Sequence, residues 1–304
     1  MSSTSLFVLN AVLAMMMFGI ALSLTPEDFR RIARQPLGPL VGMIAQFVLL
    51  PALTCLLTWL VPMPSEITLG LLLVSCCPGG SFSNLMTYLS NGNTAMSVSM
   101  TGVASLLACV LTPLNFMFYA ALNPRTQSLL NSISVSTADM LTVIAFVLAI
   151  PLALGLTCAR IWPSFARKSE PFFRFVSLFT LFGFVAIALF MNWDKFIAGA
   201  SLFLLAVVVH NALALAIGWG AARALQLPRA DTRAITLEVG LQNSGLGLGI
   251  IFTFFANLEA MAVIAAAWGI WHLISGLSLS TYWQLKDRRT ARQHSAKKQY
   301  FYGS

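Results

Sequence analysis

The residues best suited to chemistry lie in one apolar stretch, from about Ile235 to Ala256. Glu238 is the carboxylate inside it, followed by the amide pair Gln242 and Asn243 and by four glycines within ten residues. An ionised carboxylate in a bilayer core costs about 2.5–3.5 kcal/mol even on lenient insertion scales, so it normally faces a cation or a water-filled cavity. We therefore predict a functional role for Glu238 and disfavour the alternative, a glycine-rich packing helix with one stray acid.

A second unusual stretch, residues 72–88, has a Pro-Gly-Gly run beginning at Pro78 inside an apolar segment. Proline lacks the N–H of a helical hydrogen bond and glycine tolerates unusual backbone angles, so we expect a helix break here. One half-helix should end near Pro78, and another should begin within residues 81–84, where Ser and Asn are favoured caps. Such a start carries free N–H groups and a partial positive charge. The glycines after Glu238 predict a similar break.

Polar side chains in neighbouring segments could complete a site. Ser97 and Thr101 are four residues apart, so their hydroxyls lie on one helical face and can point at one ion. Gln46 is an amide at mid-membrane depth. Each has a simpler interpretation, because membrane Ser and Thr often bond their own backbone and a lone Gln often bonds a neighbouring helix. His210 and His272 could also be satisfied core residues, although His272 would lie beside the second predicted break.

The composition is that of an all-α polytopic membrane protein. The 304 residues are 58% hydrophobic and 9% charged, with a mean hydropathy of +0.82. A bilayer core about 30 Å thick needs about 20 apolar residues per helix. Nine segments meet this length, at residues 5–24, 37–60, 66–90, 94–121, 134–161, 170–191, 195–223, 231–256 and 259–285. The first lacks a charged leader and a cleavage site, so we interpret it as a retained span.

Basic residues indicate the orientation. If nine spans alternate, sixteen of the 18 Lys and Arg residues fall on one side, and only Arg125 and Lys195 lie opposite. The positive-inside rule then predicts an outside N-terminus and a cytoplasmic C-terminus, with a basic tail at residues 286–304. The net charge of +8 is explained by topology and anionic lipid. Nucleic acid is not an expected partner, because no binding motif accompanies the tail.

Other chemistries find little support. All five cysteines lie in apolar spans, so disulfides are not expected. The adjacent pair Cys76 and Cys77 lacks metal-binding spacing and clustered histidines, which makes a metal site a weak hypothesis. No nucleophile–base pair or phosphate loop is evident, so we expect neither an enzyme nor a bound cofactor.

The two predicted breaks lie on spans of opposite direction, since the third span runs inward and the eighth outward. Broken helices at corresponding inverted positions indicate a secondary transporter with a site at the bilayer midplane. The halves are unequal, because two spans precede the first break and three separate the fourth span from the second break. One N-terminal helix is therefore missing from a five-plus-five inverted repeat.

The runs at residues 78–89 and 238–246 resemble the signatures of the bile acid:sodium symporter family, and the resemblance covers essentially the whole chain. It implies a core domain with two crossing discontinuous helices and a panel domain that moves against it. The chain resembles a nine-span form lacking the first panel helix. Panel helices would be 1–24, 134–161 and 170–191, and core segments 37–60, 66–121 and 195–285, with broken helices 66–90 and 231–256.

The resemblance also implies a set of binding residues. One sodium site would use Ser83, Asn84, Ser97, Thr101 and Glu238. The second would use Gln46, Gln242, Glu238 and the carbonyls of Val239 and Leu241. Substrate would lie near Ser81, Phe82, Asn243 and His272. A hard cation prefers oxygen ligands, and these sodium sites supply almost only oxygens.

We expect sodium-coupled import of a small organic anion by alternating access across a bacterial inner membrane. The anion could be bile-acid-like, pantothenate-like or another carboxylate. The alternative is a proton-coupled or sodium-independent carrier or exporter of an organic or inorganic anion. Phe82 and Leu273 replace residues that are small or polar in bacterial relatives, so we expect a bulkier, less polar pocket and a different substrate range.

Overall fold

The computed structural model describes the backbone of residues 3–133 and 137–302, which forms helices and no strand. The helices are α1 (Ser3–Leu22), α2 (Pro26–Arg34), α3 (Leu37–Ile44), α4 (Leu50–Leu60), α5 (Ser65–Cys76), α6 (Ser81–Leu89), α7 (Thr94–Leu122), α8 (Pro124–Ile133), α9 (Thr137–Ile161), α10 (Pro163–Met191), α11 (Trp193–Ala198), α12 (Ala200–Ala224), α13 (Arg229–Gly240), α14 (Ser244–Phe254) and α15 (Glu259–Tyr302). A π-helical turn, Ala45–Leu49, joins α3 to α4.

Several of these helices can cross a membrane. Within the described residues, five are long and apolar enough by themselves, and a sixth span results if the bent pair α1 and α2 counts as one. The five cover Leu37–Leu60, Thr94–Leu122, Pro163–Met191, Ala200–Ala224 and Glu259–Ala291. The chain is therefore a helical membrane protein, as its composition indicates. The predicted spans 66–90 and 231–256 fall below this length because each is divided into two shorter helices.

The two divided helices are broken where the sequence suggests. The first ends at Cys76 and resumes at Ser81, and the second ends at Gly240 and resumes at Ser244. The breaks pair with each other in a short antiparallel bridge: the Gly80 N–H donates to the Leu241 carbonyl at 3.0 Å. The Asn243 N–H likewise donates to the Pro78 carbonyl at 2.8 Å. Backbone groups freed by each break are thus satisfied by the other, which unwound backbone at membrane depth requires.

The π-helical turn around Gln46 has a local cause in Pro51. Proline has no N–H to donate to the Phe47 carbonyl one turn earlier, so the regular hydrogen-bond ladder is interrupted there. The Leu50 N–H instead bonds the Ala45 carbonyl, five residues back. The Asn115 amide on α7 donates to the freed Phe47 carbonyl at 2.7 Å. Turns of this kind are frequent at functional sites.

The structure corrects several predicted boundaries. Helices α2 and α8 were not predicted, because a search for apolar segments misses short polar helices. The segment 195–223 is divided at Gly199, and α15 continues through the predicted tail to Tyr302. Ser and Asn do not cap α6, whose N-cap is Gly80 with no side-chain hydrogen bond.

The place where the two breaks pair, residues 77–80 with 241–243, is called the crossing below, and buried apolar residues pack on the helices that form it. Residues of α5, α14 and α15 pack together in the largest apolar cluster, where Leu72, Leu248 and Trp268 are fully buried. Helix α10 lies at the periphery and exposes Phe175, Phe179 and other aromatic rings, as expected of a lipid-facing helix. Polar residues inside the crossing are therefore shielded by apolar helices.

Candidate functional site

Glu238 is fully buried in the last turn of α13, directly before the break. Its carboxylate accepts hydrogen bonds from hydroxyls on two other helices. Ser83 Oγ on α6 lies 2.6 Å from Oε2, and Thr101 Oγ1 on α7 lies 2.8 and 3.0 Å from the two oxygens. Ser97 Oγ is 3.4 Å from Oε2. Among the described residues, no basic side chain forms an ion pair with this carboxylate.

Asn84 joins the same cluster through its amide oxygen. Its Oδ1 accepts from Ser97 Oγ at 2.7 Å and from Thr101 Oγ1 at 3.1 Å. The structure thus brings together all five residues expected at the first sodium site. Each hydroxyl has lone pairs that it can turn toward a cation, and the carboxylate and amide supply further oxygens. Such an all-oxygen set suits a hard cation better than a transition metal.

Gln46 and Gln242 form a second, adjacent polar cluster. Gln46 Nε2 donates to Gln242 Oε1 at 2.8 Å, and Gln242 Nε2 donates back to Gln46 Oε1 at 3.2 Å. Gln242 Nε2 also bonds the Val239 carbonyl at 2.6 Å, while Gln46 Nε2 bonds the Cys77 carbonyl at 2.7 Å. The Leu241 carbonyl, expected in this set, accepts the N–H of the opposite break instead. Glu238, also expected at this second site, accepts its hydrogen bonds from Ser83, Ser97 and Thr101 of the first cluster.

The four residues expected near the substrate lie around the starts of α6 and α14. Ser81 is exposed, and Phe82 is half-buried with its ring edge-on to His272, centroids 6.1 Å apart. Asn243 caps α14, since its Oδ1 accepts the Leu246 N–H at 3.0 Å. His272 Nδ1 lies 3.1 Å from the Trp268 carbonyl of its own helix and 3.4 Å from Ser244 Oγ. Both helix starts therefore face one region.

Sequence reasoning missed Gly79 and Thr87. A Cβ built on Gly79 would overlap the Glu238 carboxylate, so this glycine is needed for space as well as for the break. Its position in a Pro-Gly-Gly run indicated only the break. Thr87 Oγ1 lies 3.3 Å from Ser97 Oγ. Thr87 is four residues after Ser83 and so lies on the same face of α6, and this spacing could have indicated it.

Two other buried polar residues have structural partners. His210 is a satisfied core residue, because Trp268 Nε1 donates to its Nδ1 at 2.9 Å and Thr54 Oγ1 lies 2.8 Å from its Nε2. Arg233, one of the sixteen basic residues expected on the cytoplasmic side, also has a structural role inside the protein. It is buried in α13, bonds both Asp287 oxygens at 2.7 and 2.9 Å, and donates to the Ser90 carbonyl that ends α6.

Comparisons with known proteins agree with these features. Residues 10–199 match the profile of the Sodium Bile acid symporter family. The chain is 33% identical over 277 residues to the "Uncharacterized sodium-dependent transporter YocS" of Bacillus subtilis, covering 91% of this chain and 83% of that protein. It is 30% identical over 289 residues to the "Probable sodium/metabolite cotransporter BASS2, chloroplastic" of Oryza sativa subsp. japonica, covering 92% of this chain.

A second rice relative, "Probable sodium/metabolite cotransporter BASS1, chloroplastic", is 29% identical over 88% of this chain. The chain spans 64% of the length of each rice protein. The matched residues include the first break, and the alignments to whole relatives reach most of the chain. The resemblance seen in the two motifs is thus confirmed, and the chain belongs to the sodium bile acid symporter family of membrane transporters.

Proposed function

We propose that this transporter couples sodium movement to that of a small organic anion. The observation that carries the proposal is that the hydroxyls of Ser83, Ser97 and Thr101 meet at the buried Glu238 carboxylate. Asn84 joins them by accepting from Ser97 and Thr101. These five residues would form the first sodium site. Gln46, Gln242, Glu238 and the carbonyls of Val239 and Leu241 would form the second. The names of the relatives, sodium-dependent transporter and sodium/metabolite cotransporter, support the choice of sodium.

Sodium is favoured over a proton as the coupling ion because of the number of oxygens. A proton carrier needs only a carboxylate that can be protonated, whereas Thr101 places one hydroxyl against both Glu238 oxygens and Asn84 Oδ1. A set of oxygens around one point is what replaces the hydration shell of a metal cation. The proton-coupled or sodium-independent carrier of an organic or inorganic anion is the alternative that the experiment below tests.

The substrate would bind near the starts of α6 and α14. Helix N-termini carry partial positive charge, and two sodium ions beside one carboxylate leave a net positive centre, so an anion is attracted. Ser81 and Asn243 offer polar groups there, while Phe82 and His272 offer ring surfaces. This combination suits an anion with an apolar body, such as a bile-acid-like, pantothenate-like or other carboxylate.

The architecture would follow the family. Core helices, including the two broken ones, would hold the ions, and α1, α9 and α10 would form a panel lacking one helix relative to a ten-span plan. Sodium would stabilise an outward-open state through its higher affinity for that state, and transport would follow by alternating access. The nine spans would place the N-terminus outside and the C-terminus in the cytoplasm of a bacterial inner membrane.

Cation-dependent melting tests this proposal without a known substrate. The melting temperature would be measured in sodium, potassium and choline chloride at equal ionic strength, for wild type, Glu238→Gln and the control Glu66→Gln. Glu66 caps α15 by accepting the Ala260 N–H at 2.8 Å, away from the crossing. A ligand that binds only the folded state raises its stability, so wild type and the control should melt higher in sodium.

Glu238→Gln should lose that sodium-specific shift. In potassium it should melt at least as high as wild type, because an amide replaces a buried charge. Equal melting of wild type in the three salts would contradict sodium coupling and favour the alternative.

A further inference from the structure

Asn211 on α12 combines a buried donor and a buried unpaired acceptor beside the second break. The side chain is 1% exposed, and its Nδ2 donates to the Gly240 carbonyl, the last of α13, at 2.8 Å. Its Oδ1 has no hydrogen-bond partner within the described part of the chain, where Thr68 Oγ1 is the other such side-chain atom. Buried polar atoms normally have partners, so this oxygen requires an explanation.

The assignment of the two amide atoms is settled by the Gly240 carbonyl. Exchanging them would place one acceptor against another, so the nitrogen must face Gly240 and the oxygen must be the unpaired atom. Both atoms are bonded to the same carbon. The oxygen therefore lies within a few ångströms of the backbone where α13 ends.

Asn211 cannot easily turn away from this position. On the same helix, Gly218 brings the backbones of α12 and α13 together, since a Cβ there would lie 2.9 Å from the Ile235 carbonyl oxygen. The preceding residue, His210, is held by Trp268 and by Thr54. The free oxygen is thus fixed beside the break by the packing of its own helix.

The two backbone carbonyls of the second proposed sodium site each already accept one hydrogen bond, so a further oxygen would add to its coordination. Of its two backbone carbonyls, Val239 already accepts from Gln242 and Leu241 already accepts from Gly80. Gly240, which Asn211 holds, lies between these two residues. A hard cation takes several oxygen ligands, and a neutral amide oxygen without another donor is well suited to be one.

We propose that Asn211 Oδ1 is a further oxygen ligand of the second sodium site, with Nδ2 fixing the break through Gly240. This assignment rests on the proposed sodium coupling. The amide oxygen would contribute coordination without adding a second negative charge to the crossing. Burying Asn211 Oδ1 without a hydrogen-bond partner costs free energy, and binding sodium to this oxygen would offset that cost.

A sodium titration of the melting temperature, at constant ionic strength with choline, tests the assignment. Because stability rises as RT ln(1 + c/Kd), where c is the sodium concentration, the titration gives an apparent Kd for sodium, which we call the sodium midpoint. The variants are Asn211→Leu, which removes both amide atoms but keeps the branch at Cγ, and Asn211→Asp, which keeps an oxygen but loses the donor. The matched control is Asn123→Leu. Asn123 is also fully buried, and its amide bonds Thr58 Oγ1 at 3.0 Å and the Arg125 N–H at 3.0 Å, away from both breaks.

Asn211→Leu should raise the sodium midpoint, the apparent Kd for sodium, by about tenfold or more, and the sodium midpoint of Asn211→Asp should stay within about threefold of wild type. Asn123→Leu should lower melting in all salts and leave the sodium midpoint unchanged. The assignment is overturned if Asn211→Leu keeps the wild-type midpoint, or if Asn211→Asp is as weak as Asn211→Leu. If only the Asp variant folds, its midpoint decides. Absence of any sodium shift in wild type would instead remove the proposed function itself.

Discussion

A buried carboxylate must be stabilised by the groups that touch it. Glu238 is held by three hydroxyls from α6 and α7 rather than by a basic side chain of the described structure. Hydroxyls can donate to the carboxylate, or turn so that their lone pairs face a cation. The same side chains can therefore serve the protein with and without an ion, whereas a lysine in their place would compete with sodium.

Thr101→Val tests both roles of the hydroxyl, donation to the carboxylate and coordination of a cation. Valine has nearly the same shape but removes the hydroxyl that touches Glu238 and Asn84. Hydrogen bonds to charged groups contribute about 1.5–3 kcal/mol, so the variant should lose about that much stability in potassium. It should also raise the sodium midpoint by about tenfold, measured by melting over a sodium series.

Thr236→Val is the matched control, because Thr236 is buried on α13 but donates only to the Thr232 carbonyl of its own helix. It should leave the sodium midpoint unchanged. A Thr101→Val midpoint equal to that of this control would contradict the role of the hydroxyl.

Phe82 is the residue expected to shape the substrate range. Its ring lies edge-on to His272 beside the start of α6, so Phe82→Ala enlarges the proposed pocket. In proteoliposomes with an inward sodium gradient, the ratio of bulky to small carboxylate uptake should rise by about tenfold or more. An unchanged ratio over the same panel of carboxylates would show that this side chain does not contact substrate.

At the scale of elements, the paired breaks bring the polar residues together. The breaks could be predicted, because Pro78 and the glycines after Glu238 are local signals. Their bridge, Gly80 to Leu241, joins residues far apart in sequence and has no local signal. The five residues that meet at the candidate site around Glu238 could be named from polar side chains in apolar segments and from the resemblance to the family. Asn211 could not, because one buried amide in a helix is usually a packing residue.

The short helix α2 was missed in the sequence for a different reason. Its sequence, residues 26–34, is polar and begins with a capping arrangement in which Thr25 N–H donates to Asp28 at 2.9 Å. Capping patterns predict such helices, but hydropathy does not. Pro51 is a local signal for the π-helical turn, whereas the bond from Asn115 to the freed Phe47 carbonyl joins residues far apart in sequence and has no local signal.

Gly79→Ala tests whether the break also provides space. A methyl group there would overlap the Glu238 carboxylate, so the variant should lose the sodium-specific melting shift and about 1–3 kcal/mol of stability. Gly220→Ala, in the interior of α12, is the control, since a Cβ there meets nothing within 4 Å. It should gain up to about 1 kcal/mol from helix propensity. A normal sodium shift in Gly79→Ala would show that the carboxylate does not need this contact.

For the molecule as a whole, the distribution of basic residues predicts the orientation in the membrane. The expected arrangement places Arg34 and Gln226 in the cytoplasm and Lys195 outside. The five native cysteines are buried, so single cysteines introduced at these positions can be labelled with little background. An impermeant maleimide added to intact cells should label Lys195→Cys, and should label Arg34→Cys and Gln226→Cys only after permeabilisation. The reverse pattern would invert the topology.

Arg233 shows that basic residues also have internal roles. Its guanidinium ties the end of α6 and the start of α13 to Asp287 on α15, beside the Trp283 ring at 5.3 Å. The end of one broken helix and the start of the other are thus fastened to one long helix. Net charge does not predict the contact between Arg233 and Asp287, because that contact depends on which helix ends meet in the fold.

Equilibrium binding of radioactive sodium to the purified protein tests the central claim most directly. Wild type, Glu238→Gln and Glu66→Gln would be compared at constant ionic strength, with potassium as competitor. We predict saturable sodium binding by wild type and Glu66→Gln that potassium does not displace, and loss of that binding in Glu238→Gln. Binding that persists in Glu238→Gln, or that potassium displaces equally well, would contradict a sodium site centred on this carboxylate.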